Sequence, residues 1–114
     1  MDGHHHRAAR LADLAEGEAR PVTVAEVPVA LCLVGGAVHA VVDRCTHADS
    51  PLSGGRVRRG SIICPAHGAI FNLTTGACVG SAGYRPLTVL PARIVDGWVE
   101  LDLSACAPPQ GTAA

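Results

Sequence analysis

Cys45-Thr46-His47 and Cys64-Pro65-Ala66-His67 decide the reading of this chain. Each cluster offers one thiolate and one imidazole, two residues apart in the first and three apart in the second, and both are loop spacings. The 16 residues Ala48 to Ile63 separate His47 from Cys64, enough for a loop, a turn at Gly54-Gly55 and a short strand back, so the two loops can meet tip to tip. Four Cys would suit an ordinary iron–sulfur cluster or a structural zinc. The mixed set suits a [2Fe–2S] centre in which one iron takes two Cys and the other takes two His. Binding across both loops would join two loose turns into one unit, because metal-binding free energy becomes folding free energy. Zinc accepts the same four atoms, but zinc modules generally pair Cys with Cys and His with His within an arm. A Cys–His nucleophilic pair would need a third orienting group, which no residue supplies.

On either side of this segment the pattern is strands and turns. Val22 to Val24, Ala30 to Val34 and Val38 to Val42 read as strands, with Gly35-Gly36 marking a tight hairpin between the last two. A second hairpin is written at the end, where Ala92 to Val95 and Trp98 to Leu103 flank Asp96-Gly97. There Val99, Leu101 and Leu103 fall on one face, and Glu100 and Asp102 on the other. Leu11 to Ala15 allow one helical turn, which Gly17 and Pro21 stop. The ligand clusters thus sit in an insertion, about 44–84, between β segments. Residues 1–10 read as a flexible leader, 11–106 as a single domain and 107–114 as a flexible tail.

Composition agrees. The 114 residues are 48% hydrophobic with one each of Trp, Tyr and Phe, so the core must be built from Val, Leu, Ile and Ala, a β-rich palette. Thirteen Gly and eight Pro favour tight turns over long helices. A formal charge of −1, with Arg the only basic residue type besides His, gives no support to a nucleic-acid partner. The longest apolar run, Val27 to Val34, contains Pro28 and is too short to span a bilayer, and no signal-peptide pattern is present. A cytoplasmic protein with no membrane partner is expected. Five Cys in a reducing compartment read as ligands plus leftovers, and Cys32, Cys78 and Cys106 are taken as plain buried side chains. The tract His4-His5-His6 is assigned no function.

Cys-Thr-His, then Cys-Pro-Ala-His-Gly-Ala-Ile-Phe-Asn and Thr75-Gly76, resemble the motif of the Rieske [2Fe–2S] ferredoxins, and the likeness runs from about Leu11 to Leu103. It implies an all-β Rieske fold, an antiparallel β-sandwich base carrying a two-loop cluster-binding subdomain, and one cluster per chain. By the same resemblance Cys45 and Cys64 would hold the inner iron, His47 and His67 the outer one facing solvent, and Gly80 to Pro86 would form a third covering loop. High-potential members of the family carry a disulfide between the loops and hydroxyls from a Ser and a Tyr. At those positions this chain has Ser50 and Ala66, Ala69, and Phe71. A potential near the low end of the Rieske range is therefore expected.

The function implied is that of an electron carrier with no bond-making chemistry of its own. An NAD(P)H-dependent flavoprotein reductase would load it with one electron at a time, and the terminal oxygenase of a ring-hydroxylating dioxygenase system would receive that electron. A monomer is expected. The competing assignments are the cluster-bearing small subunit of a nitrite-reductase-like complex and a zinc-binding module. His39, Trp98 and Tyr84 read as packing residues. Arg44, Arg56, Arg58, Arg59 and Arg85 read as a solvated face, or else as a patch steering the cluster end onto acidic partners.

Overall fold

The computed structural model of the chain describes residues 5–45, 50–65, 68–79 and 84–104. Among them are strands β1 (His5–Arg10), β2 (Ala19–Val24), β3 (Val27–Val34), β4 (Ala37–Val42), β5 (Arg56–Arg58) and β6 (Ser61–Ile63). They continue with β7 (Ile70–Asn72), β8 (Cys78–Val79), β9 (Val89–Leu90), β10 (Ala92–Val95) and β11 (Trp98–Asp102). The described residues contain no α-helix, and the helical turn expected after Leu11 is a single 3₁₀ turn, Leu11–Asp13. The fold is all-β, as expected.

Three antiparallel sheets are built, in the orders β1-β11-β10, β2-β3-β4-β9 and β5-β6-β7-β8. Strand β3 explains how they stack. Val29, Ala30, Leu31 and Cys32 are all fully buried, so β3 has no solvent face. Val29 and Leu31 pack with Val99, Leu101 and Leu103 from the β1-β11-β10 side. Ala30 and Cys32 pack with Val57, Ile62 and Phe71 from the β5–β8 sheet. The β2-β3-β4-β9 sheet is therefore the middle layer, with a core on each face, and this is why Val27 to Val34 reads as a continuous apolar run. Each fully buried Val, Leu, Ile or Phe contributes about 1.5–3 kcal/mol. Because β4 pairs directly with β9, everything from Asp43 to Thr88 is an excursion between two neighbouring strands.

The hairpins at Gly35-Gly36 and Asp96-Gly97 form where expected, with Val34 opposite Ala37 and Val95 opposite Trp98. Two more were missed. Ala25-Glu26 and Arg59-Gly60 turn with positive φ at both central residues, the twist-matched hairpin geometry.

The leader reading of residues 1–10 needs correcting, because His5–Arg10 forms β1 on the edge of the first sheet, paired with β11. Its register slips by one residue between Arg7 and Ala9, and this bulge turns Arg7 and Arg10 to the same face. Both guanidiniums lie 4.9 Å from the centre of the Trp98 ring, and Ala8 and Ala9 pack against the core beneath. Cation–π contact and burial fasten a strand whose sequence alone looks mobile.

Candidate metal centre

Cys45 and Cys64 are each 1% exposed, belong to the same buried cluster and are in no disulfide. Each stands where a strand gives way to a loop, Cys45 three residues after β4 and Cys64 directly after β6. The two loops close alike. The Cys45 N–H donates to the Ser50 carbonyl at 2.7 Å, and the Cys64 N–H donates to the Ala69 carbonyl at 2.7 Å, in both cases five residues on. A further bond from the Gly68 N–H to the Cys64 carbonyl, 2.9 Å, tightens the second loop. His47 and His67, with Thr46 and Ala66, lie outside the described residues, as do Gly80 to Gly83 of the expected third loop and Cys106.

Three residues support this region in ways the sequence did not specify, although Gly54-Gly55 was expected as a turn and Thr75-Gly76 as part of the motif. Asp43 accepts the N–H groups of Leu52 (2.6 Å) and Ser53 (2.7 Å) on Oδ1 and the Ser53 hydroxyl (2.7 Å) on Oδ2, tying the end of the first loop back to its start. Charge-assisted bonds of this kind are the strong ones. Gly55 packs against the second loop so closely that a Cβ there would run into the Ile63 carbonyl oxygen and lie 2.9 Å from that of Leu52. Gly76, at φ +80°, presses on the Leu87 carbonyl, whose residue's N–H donates back to the Gly76 carbonyl at 2.8 Å. The signals existed in the sequence: an Asp two residues before the first Cys, and Gly-Gly in the return from its loop.

Of the two other described Cys residues, Cys32 is buried as expected and Cys78 is not. Cys32 is fully buried, and burial, helped by the charge of Asp43, pushes its thiol up from 9.0 to about 12, so it stays protonated. Cys78 is only half-buried, because β8 is the edge strand of its sheet. His39 is half-buried on β4, as expected, whereas Tyr84 is 36% exposed and does not pack in the core. Arg44, Arg56, Arg58, Arg59 and Arg85 are all exposed.

The donor set fits an iron–sulfur group. Two Cys sulfurs in one buried apolar cluster suit soft ligation of a metal centre, and the hydrophobic wall around them would shield the bound group from water.

The model of the Rieske [2Fe–2S] domain matches residues 4–91 of the chain. The 3-phenylpropionate/cinnamic acid dioxygenase ferredoxin subunit of Escherichia coli K12 is 35% identical over 102 residues, spanning 89% of this chain and 95% of that protein. The Sphingomonas yanoikuyae B1 ferredoxin superposes with a TM-score of 0.79 at 32% identity, over 85% of this chain and 96% of that one. A structure described as a complex of reduced oxygenase and oxidized ferredoxin in carbazole 1,9a-dioxygenase matches at a TM-score of 0.77 and 33% identity, over 84% and 99%.

Proposed function

This chain belongs to the Rieske [2Fe–2S] domain family, and from that membership we propose that Cys45, His47, Cys64 and His67 hold its cluster. The chain is an electron-transfer component and not a catalytic oxygenase. When bound, the cluster supplies a one-electron redox couple, raised relative to an all-Cys centre because two neutral imidazoles replace two anionic thiolates.

The observation that carries this reading is the pair of buried Cys side chains at equivalent points of two loops closed by the same five-residue bond. The protein's own part is to fix these two arms. The Asp43 clamp closes the first loop on itself, the Gly55 contact holds it against the end of β6, and the buried cluster around Phe71 keeps water from the sulfur side. Rigid arms limit rearrangement between redox states, which suits a carrier that must gain and lose an electron easily.

The terminal oxygenase of a ring-hydroxylating dioxygenase system receives the electron, and an NAD(P)H-dependent flavoprotein reductase supplies it. The relatives named as dioxygenase ferredoxin subunits, and the solved complex of such a ferredoxin with its oxygenase, support the first partner. The reductase follows from the need for a donor that splits hydride-derived electron pairs into single electrons. The carrier works as a monomer in the cytoplasm. Among the described residues, no helix is long and apolar enough to cross a membrane.

Anaerobic titration with dithionite tests the reading. The holoprotein is expected to take up one electron per chain and to return it to an added oxidant with full recovery of its visible spectrum. Absence of reversible uptake overturns the function.

A further inference from the structure

Two cross-strand rows run over the β5–β8 sheet. Val57, Ile62, Phe71 and Cys78 are in register and face the core. One position along, Arg56, Ile63, Ile70 and Val79 stand side by side on the outer face. Ile63 and Ile70 are half-buried and Val79 is 47% exposed, so three strands present an apolar ridge to solvent with a guanidinium at its end. Arg58 lies on the same face as Arg56, and Arg59 sits in the adjoining turn. All three Arg are exposed, and none forms an ion pair among the described residues. Three unpaired cations within four positions depart from a chain whose formal charge is −1.

The ridge abuts the candidate metal centre. Strand β6 runs from Ile63 into Cys64, and β7 returns from the same loop at Ile70. Beside it lies a hollow of about 360 Å³, lined by Gly54, Gly55, Arg56, Ile63, Cys64 and Pro65. Gly68 completes the lining, so that three of its seven residues are glycines, and Arg56 is the cation among them.

We propose that this ridge, with Arg56, Arg58 and the hollow, is the docking surface for the electron-accepting oxygenase, whose face would carry an apolar patch beside carboxylates. Charge complementarity selects an acidic partner, and the hollow receives a projecting carboxylate next to the Cys64 loop. The contact is small, as redox encounters are, so electrostatics governs its rate more than its lifetime. The proposal rests on the carrier reading above.

The test measures how fast dithionite-reduced holoprotein gives up its electron to two small oxidants of opposite charge. In stopped flow one electron passes to hexacyanoferrate(III), giving hexacyanoferrate(II), or to hexaamminecobalt(III), giving cobalt(II). The rate with the anionic oxidant is expected to fall as ionic strength rises, and that with the cationic one to rise. At low salt R56E/R58E should slow the anionic reaction about tenfold and speed the cationic one, with R56Q/R58Q about halfway on a logarithmic scale. R93E makes a charge reversal on the β1-β11-β10 sheet and should leave both rates within about twofold. If R93E shifts either rate as strongly as R56E/R58E does, or if no variant changes either rate, the surface is refuted while the carrier reading stands. A holoprotein that accepts no electron refutes both. Sedimentation adds a further arm, since a dimer dissolved by V79D would give the ridge to a second copy and overturn the assignment.

Discussion

Asp43 and Ser53 are joined twice. The Ser53 N–H donates to one carboxylate oxygen and the Ser53 hydroxyl to the other, each at 2.7 Å. With the Leu52 N–H as a third donor, one side chain closes the first ligand loop across ten residues.

Replacing this clamp should be costly. D43A leaves two N–H groups without their charged acceptor and is expected to lose about 2–3 kcal/mol of stability, read from urea unfolding. D43N keeps one acceptor oxygen and should lose less. Amide hydrogen exchange at Leu52 and Ser53 should accelerate in both variants. Unchanged protection there would remove the clamp from the account.

Gly55 sets how closely the two ligand loops approach. In G55A the new methyl group must displace the Ile63 strand end or the Leu52 turn, both of them backbone, so the expected cost is about 1–3 kcal/mol. Iron content per chain should drop even in samples whose far-ultraviolet spectrum stays native. A G55A protein with full iron and wild-type stability would show that the contact does not matter.

The Cys32 thiol gives a pH signature. Its value in the fold, about 12, lies above the ordinary 9.0, so the unfolded chain releases this proton first as pH rises. The contribution is complete below about pH 9 and is lost progressively from there towards pH 12, at no more than about 1.4 kcal/mol per pH unit. Urea unfolding between pH 8 and 11 should show this decline, and C32A should flatten it. A slope unchanged in C32A would refute it.

Legibility in the sequence followed the physics of each element. The hairpins at Gly35-Gly36 and Asp96-Gly97 could be read because those residues accept positive φ cheaply. The one at Ala25-Glu26 could not, since neither residue advertises the φ of 48° and 69° that it adopts. Strand β1 was hidden because its hold on the sheet comes from Trp98, 91 positions beyond Arg7, and local pattern carries no trace of such a contact. Cys45 and Cys64 were legible as a pair because ligand chemistry restricts residue type and spacing. Gly54-Gly55 was legible as a turn, but the Asp43 clamp and the close approach of Gly55 to Ile63 were not, because they depend on which backbone groups the fold brings to them.

The reduction potential tests a different part of the account. Ala69 and Phe71 are buried in the cluster that contains Cys45 and Cys64, and neither carries a hydroxyl to stabilise added charge. A midpoint near the low end of the Rieske span, about −150 to +300 mV, is expected from protein-film voltammetry. A value above about +100 mV would contradict it.

The most direct measurement is pulsed electron paramagnetic resonance of dithionite-reduced, anaerobically prepared holoprotein with ¹⁵N-labelled histidine. The account predicts a paramagnetic iron–sulfur centre coupled to the ring nitrogens of two histidines, one coupling disappearing in H47A and the other in H67A. A sample that contains zinc and no inorganic sulfide, or a centre with no histidine nitrogen coupled to it, would contradict the mixed Cys and His ligation.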